Sequence, residues 1–308
     1  MLTVELKTAL GQAQDEINAI IVGKEHCVCL ALTALLAGGH LLLEDLPGLG
    51  KTTFAQVLAA STGLQCRRIQ FTSDILPADI LGVSVYAQQQ EKFRFHPGPI
   101  FSQVVLADEI NRAPPRSQSS LLEGMAEQHV TLDGQRYPLP HPFFVIATQN
   151  AVDMAGTYPL PDSQLDRFMF CIQLGYPSAA AERQMLLTTR SQSALDHITP
   201  RLTPDQWVVL RQCCKNVHTS DAFIDYLLAL VCHSRQASGV RVGLSPRASL
   251  ALLRASQAYA LLHGRDFVIP DDIQAIFVDL AAHRLVADNL STSGAQIAQA
   301  LLELVAVD

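Results

Sequence analysis

The segment Asp45-Leu46-Pro47-Gly48-Leu49-Gly50-Lys51-Thr52 has the most readable chemistry in this chain. Its glycines let a backbone wrap closely round a polyphosphate without Cβ clashes. Successive N–H groups and a helix N-terminus then face the negative charge. Lys51 is placed to reach the β- and γ-phosphates of a nucleoside triphosphate, and the Thr52 hydroxyl to bind Mg²⁺. The expected nucleotide-contacting set is Pro47, Gly48, Leu49, Gly50, Lys51, Thr52 and Thr53. The pattern GxxxxGK[ST] opens on glycine, where this chain has Asp45. Aspartate tolerates turn conformations better than most residues, so the turn survives.

Val104-Val105-Leu106-Ala107-Asp108-Glu109 reads as an apolar strand ending in two carboxylates. Adjacent acids at the end of a buried strand are costly unless a cation compensates them. Mg²⁺ at the carboxyl edge of a sheet would do so. Asp108 is then expected to hold the metal, mostly through water, and Glu109 to orient and polarise the attacking water. The bland reading, a strand ending in solvated acids, is weakened by the phosphate loop that precedes it. A further apolar strand ends in Ala147-Thr148-Gln149-Asn150. Asn150 could hold the attacking water or contact the γ-phosphate; the alternative is an Asn serving a turn.

These groups need a scaffold of buried strands. Apolar runs at 40–43, 68–71, 104–107, 143–147 and 168–174 alternate with helical stretches such as 52–60 and 117–128. Buried strands alternating with helices imply a mainly parallel sheet covered on both faces. The phosphate loop falls between the first run and a helix, which is the context its chemistry requires. Ahead of it, Leu2, Leu6, Leu10, Ala13 and Ile17 predict an amphipathic helix. Ile21-Val22-Gly23-Lys24 breaks that helix, and a second is expected over 25–37.

After about residue 185 the pattern turns helical, with expected helices at 205–216, 221–238, 246–263 and 271–287. Prolines 204, 246 and 270 stand in or beside first turns with capping residues nearby. The boundary is expected within 188–204, which is rich in Ser, Thr and Gln. The reading is thus an α/β core over 1–187 and an all-helical domain over 188–308.

Composition narrows the classes. With 308 residues, two domains are expected rather than one. The formal charge of −7 is the reverse of a nucleic-acid-gripping surface. Seven cysteines with no CxxC argue against a zinc site or a disulfide framework and fit a reducing cytosol. Cys27 and Cys29 beside His26 read as core residues rather than metal ligands. No signal peptide is visible at the start, and no run of about 20 apolar residues spans a bilayer. The expected location is cytoplasmic.

Taken together, the motifs resemble the AAA+ superfamily and, within it, the MoxR family. The resemblance is close over 21–174 and recognisable over 241–284. It rests on the phosphate loop and on Phe93-Arg94-Phe95-His96-Pro97-Gly98-Pro99-Ile100-Phe101. It rests also on Leu106-Ala107-Asp108-Glu109-Ile110-Asn111-Arg112-Ala113-Pro114-Pro115, Ala147-Thr148-Gln149-Asn150, Gly156-Thr157-Tyr158-Pro159-Leu160-Pro161 and Gln164-Leu165-Asp166-Arg167-Phe168. MoxR proteins commonly carry Asp where Asp45 stands. Ala151 in place of proline, and Asp162-Ser163 in place of Glu-Ala, are departures that carry no chemistry.

The resemblance implies a P-loop core with a parallel five-stranded sheet of order 5-1-4-3-2 and a C-terminal helical lid. It also implies an insert in the second core helix at about 81–97 and a hairpin before the sensor strand at about 128–142, both facing a central pore; ordinary surface loops are the alternative. Asp133-Gly134 is the expected hairpin turn. By the same resemblance Arg167 reaches the γ-phosphate of the neighbouring subunit, a contribution of about 10³–10⁵ in rate, or roughly 4–7 kcal/mol. A salt bridge to Asp162 or Asp166 is the alternative role, and Arg112 and Arg116 are rival fingers.

Arg247 follows Ser245-Pro246 in the first turn of a helix, where a cation gains nothing from the helix dipole. That placement suits an external anion, and it resembles the second AAA+ sensor; a solvated surface arginine is the alternative. Val22 and Gly23 would border adenine by analogy, near the domain hinge.

The function so implied is an Mg²⁺-dependent ATPase, assembled as a hexameric ring. ATP would bind between core and lid and between subunits. Hydrolysis would drive chaperone-like remodelling, maturation or metal or cofactor insertion of a protein client, with a von Willebrand factor A domain partner. The alternatives are the motor subunit of a metal chelatase, a DNA-directed AAA+ motor and a non-catalytic nucleotide-binding scaffold. Neither nucleic acid nor membrane insertion is expected.

Overall fold

The computed structural model of the chain describes residues 3–89, 91–150, 156–187, 198–289 and 291–307. Leu2, Ala151 and most of the 188–204 boundary segment lie outside these residues. Five core strands are β1 (Leu41–Asp45), β2 (Cys66–Gln70), β3 (Val104–Asp108), β4 (Phe144–Asn150) and β5 (Phe170–Ile172). They form a parallel sheet in the order β2-β3-β4-β1-β5, which is the expected 5-1-4-3-2 arrangement. β3 lies parallel to β2 and β4, with Gln70 opposite Asp108 and Ala107 opposite Ala147. Every residue of β3 is buried, as both-face coverage requires.

The chain divides into two compact units: Leu42–Leu160 with Gln173–Pro204, and Met1–Leu41 with Pro161–Ile172 and Asp205–Asp308. In the first, helix Lys51–Ser61 leaves the phosphate loop and buries Phe54, Ala55, Val57 and Leu58. Phe54, Val57 and Leu58 each contribute about 1.5–3 kcal/mol on burial. This unit also holds two antiparallel hairpins. One pairs Gly82–Ala87 with Lys92–Pro97, and the other His129–Leu132 with Gln135–Pro138. Asp133 and Gly134 both have positive φ, 51° and 77°, the backbone of a two-residue hairpin turn whose twist matches the strands.

The second unit is mainly rather than wholly helical, since it also holds β5 and a short strand pair. Its helices are Val4–Ile20, Glu25–Ala37, Asp221–Gln236, Pro246–Leu262, Pro270–Ala281 and Gly294–Leu304, with most of Pro204–Lys215. Leu10, Ala13 and Ile17 face its core, and Cys27 and Cys29 are buried as expected. Ser220, Ser245 and Ser293 each accept a backbone N–H three residues on, removing one orphan donor at each helix start.

Two details differ from the periodicity. The helix expected to run to 287 stops at Ala281. There the chain turns so that the Arg284 and His283 side chains bond backbone carbonyls of the 166–169 segment. Val286–Ala287 then pairs with Val240–Val242. The final helix, Gly294–Leu304, lies beyond the last helix that the periodicity predicts. Its signal was the reciprocal Ser293–Gln296 capping box ahead of Ile297 and Leu301.

Candidate nucleotide site

The phosphate loop joins β1 to helix Lys51–Ser61. Gly48 and Gly50 both have φ of +84°, a conformation that L side chains rarely adopt, so both positions require glycine. Asp45 faces away from a phosphate role. Its Oδ1 accepts from the Leu46 N–H at 2.9 Å and its Oδ2 from the Gly175 N–H at 2.6 Å. The carboxylate therefore ties the loop's first residue to a segment beyond β5.

Lys51 opens the helix with only 8% of its surface exposed. Its Nζ donates to the carbonyls of Asp45 (2.6 Å), Leu46 (3.1 Å) and Gln149 (3.3 Å), and to Asn150 Oδ1 (2.7 Å). Burial pushes its pKa down from the usual lysine value, and the carboxylates of Asp45, Asp108, Glu109 and Glu44 pull it back up. Lys51 is thus a desolvated cation whose field points at the acid pair.

The acid pair sits at the same sheet edge. Asp108 Oδ1 accepts from Thr148 Oγ1 at 2.6 Å, and Oδ2 from Thr52 Oγ1 at 3.1 Å. Glu109 Oε1 accepts from Asn150 Nδ2 at 3.2 Å. Asn150 therefore bridges Lys51 and Glu109, oxygen toward the cation and amide N–H toward the acid. Glu109 has φ 57° and ψ 49°. Left-handed backbone at a non-glycine residue costs of order 1–3 kcal/mol and gathers at functional sites. Thr148 Oγ1 accepts the Glu109 N–H at 2.8 Å, so one hydroxyl holds both acids.

The pattern of the ATPase family associated with various cellular activities (AAA) matches residues 40–170, and that of the AAA lid domain matches 232–303. A crystal structure of a Cytophaga hutchinsonii protein superposes with a TM-score of 0.90 at 35% identity, covering 98% of this chain and 96% of that one. The uncharacterized protein YeaC of Bacillus subtilis is 47% identical over 92% of this chain and 88% of its own length. Chaperone MoxR1 of Mycobacterium tuberculosis is 40% identical over 92% of this chain and 77% of its own length. The chain belongs to the MoxR family of AAA+ ATPases. Its activity is ATP hydrolysis, and AAA+ membership implies nucleotide binding and oligomeric assembly. Among the described residues no helix is long and apolar enough to cross a membrane.

In this MoxR protein the sheet edge gathers Lys51, Thr52, Asp108, Glu109 and Asn150. Thr53 follows in the first helical turn with an exposed side chain, and Pro47, Gly48 and Gly50 are exposed along the loop, with Leu49 half-buried. Arg112 lies with its Nε 3.2 Å from Glu109 Oε2, and Arg116 is exposed in the first turn of helix Pro115–Glu127.

Val22, Gly23, Arg167 and Arg247 belong to the helical unit. Gly23 has φ of +74° in the break between the first two helices. Arg247 stands just past the Ser245 cap, largely exposed, with Nη1 3.5 Å from Asp166 Oδ2. Arg167 is half-buried, its N–H bonded to the Gln164 carbonyl at 3.1 Å.

Three partners of the acid pair escaped the sequence reading: Thr148, Arg68 and Gln70. Thr148 was signalled by its place in the Ala-Thr-Gln-Asn strand end. Arg68 and Gln70 alternate on one face of β2, but only the sheet order places that face beside β3.

The Asp45 tether predicts a stability effect. Asp45→Ala removes two hydrogen bonds to a charged acceptor and is expected to destabilise the protein by about 2–4 kcal/mol. Asp45→Gly, which restores the general P-loop pattern, should cost as much, because glycine cannot bond the Gly175 N–H. Denaturant unfolding decides it; a glycine variant as stable as the wild type would refute the tether.

Proposed function

We propose that this MoxR ATPase uses Mg²⁺ and ATP to remodel or mature a protein client, including by metal or cofactor insertion. It would work in the cytoplasm as a hexameric ring with a von Willebrand factor A domain partner. The observation that carries this reading is the meeting of Lys51, Thr52, Asp108, Glu109 and Asn150 at one sheet edge. Kinship over most of the chain to a protein named a chaperone supports the client half. We assign the core to residues 1–187 and the lid to 188–308.

The residues suit Mg²⁺. Thr52 Oγ1 and Asp108 Oδ2 are hard oxygens 3.1 Å apart at a helix start. Among the described residues no group of three or more His, Cys, Asp or Glu could hold a metal alone. The nucleotide phosphates would complete the shell, as is usual for Mg²⁺. When bound, the ion would neutralise phosphate charge and orient the γ-phosphoryl group.

Lys51 supplies a second cation there, and the loop amides supply fixed dipoles. Glu109, held by Asn150, accepts a proton from the attacking water at a carboxylate oxygen. Arg167 and Arg247 serve as trans-acting finger and lid sensor, and Val22 with Gly23 borders the base. The charge of −7 and the relationship to MoxR1 do not favour a DNA-directed motor or a chelatase subunit.

Glu109→Gln tests the reading. Its turnover is expected to fall about 10²–10⁴-fold with ATP affinity retained. Affinity capture on this variant in ATP, read by mass spectrometry, should recover a von Willebrand factor A domain protein and a client that are missing in ADP. The same set in both nucleotides would sink the client coupling.

A further inference from the structure

Arg68 is the charged partner of Asp108 that the phosphate loop does not supply. It lies on β2, an edge strand of the sheet, two residues before Gln70, which stands opposite Asp108. From there its guanidinium reaches diagonally across to the acid. Nε and Nη2 both donate to Asp108 Oδ2, at 3.1 and 2.6 Å. Nη2 also donates to Gln70 Oε1 at 2.7 Å, and Gln70 Nε2 donates to Glu109 Oε2 at 3.1 Å. Asp108 is 8% exposed and Arg68 49% exposed. The acid is thus embedded, whereas the arginine has solvent into which it can swing.

The oxygen matters. Oδ2 is the Asp108 oxygen adjacent to Thr52 Oγ1, whereas Oδ1 is bonded to the buried Thr148. A divalent ion shared by Thr52 and Asp108 must therefore draw on the atom that Arg68 holds. Two cations on one carboxylate oxygen repel each other, and the repulsion is weakly screened at a mostly buried site. A buried carboxylate also needs some cation at all times, because leaving it uncompensated is costly.

We propose that Arg68 is a built-in counter-cation that competes with Mg²⁺ for Asp108 Oδ2. It neutralises the acid pair until Mg²⁺ and nucleotide arrive together, and it must release Oδ2 for the metal to bind. Arg68 therefore sets the metal concentration at which the site loads. The inference rests on the assignment of Asp108 and Thr52 to the metal.

The test is the affinity of a fluorescent ADP, measured against free Mg²⁺ for wild type, Arg68→Ala, Arg68→Met and Asp108→Asn. Arg68→Met keeps the packing of the stem and guards against a folding defect in the alanine variant. Removing the competitor should lower the half-saturating Mg²⁺ concentration about tenfold in both Arg68 variants, whereas metal-free ADP, an anion, should bind no tighter than it does to the wild type. Mn²⁺ binding, followed by electron paramagnetic resonance in saturating ADP, should tighten by the same factor. An unchanged or raised Mg²⁺ midpoint in both Arg68 variants overturns the competition and leaves the metal assignment standing. If Mg²⁺ does not affect ADP affinity in the wild type, or Asp108→Asn keeps the full Mg²⁺ effect, the metal assignment itself fails.

Discussion

Lys51→Ala is expected to lower ATP affinity by about 10²–10⁴-fold while leaving the fold in place. The factor follows from the loss of two charge-assisted hydrogen bonds to phosphate at about 1.5–3 kcal/mol each, at 1.4 kcal/mol per decade. The side chain is nearly buried, and its four acceptors are three carbonyls and the Asn150 amide oxygen. A cation at a helix N-terminus opposes the helix dipole, and burial already depresses its pKa. Both effects offset part of what its four hydrogen bonds contribute to the unliganded protein. The nucleotide-free melting temperature is expected to move by only a few degrees, which separates lost binding from lost folding. Lys51→Arg should not rescue binding, because a planar fork cannot take the converging contacts of one ammonium. Equilibrium binding of labelled ATP checks both variants; wild-type affinity in Lys51→Ala would remove the phosphate-loop assignment.

How much of this is legible in the sequence depends on how far apart the interacting residues are. The core strands were readable because buried parallel strands leave continuous apolar runs, and Val104 to Ala107 is one. The phosphate loop, the acid pair and Asn150 were readable because each sits at the end of such a run. Strand ends were less so: β1 runs on to Asp45 and β4 to Asn150, since polar residues can continue a ladder that apolar patterning cannot mark. Hidden altogether were roles defined by a distant partner. Asp45 resembles a degraded glycine until Gly175, 130 residues away, is seen to donate to it. Arg68 resembles an exposed strand arginine until Asp108 is placed beside it. The Pro270–Ala281 helix was overrun because Ala282 to Ala287 keeps an apolar spacing. The side chain that breaks it, Arg284, bonds to residues 115–118 positions earlier.

That same Arg284 holds the backbone that carries Arg167. It is buried, and its Nε donates to Asp166 Oδ1 at 2.7 Å. Its Nη2 donates to the Phe168 carbonyl at 2.5 Å and its Nη1 to the Met169 carbonyl at 3.1 Å. His283 Nε2 lies 3.2 Å from the same Phe168 carbonyl, and Phe168 is fully buried. Arg167 thus leaves a backbone held on both sides, as a positioned cation requires. Arg167→Ala is expected to reduce turnover about 10³–10⁵-fold, with nucleotide affinity little changed.

Mixing tests whether the arginine acts across subunits. In an equal mixture of Arg167→Ala and Lys51→Ala subunits, about a quarter of head-to-tail interfaces set an intact Lys51 pocket against an intact Arg167. Activity should therefore recover to about a quarter of wild type, although each variant alone is nearly inactive. If activity stays at the level of the two variants, Arg167 serves its own chain. Arg112 is the control: its Nε lies 3.2 Å from Glu109 Oε2 in the same subunit. An arginine spent on its own chain's acid should not complement, so recovery by Arg112→Ala mixtures in place of Arg167→Ala would move the finger to Arg112.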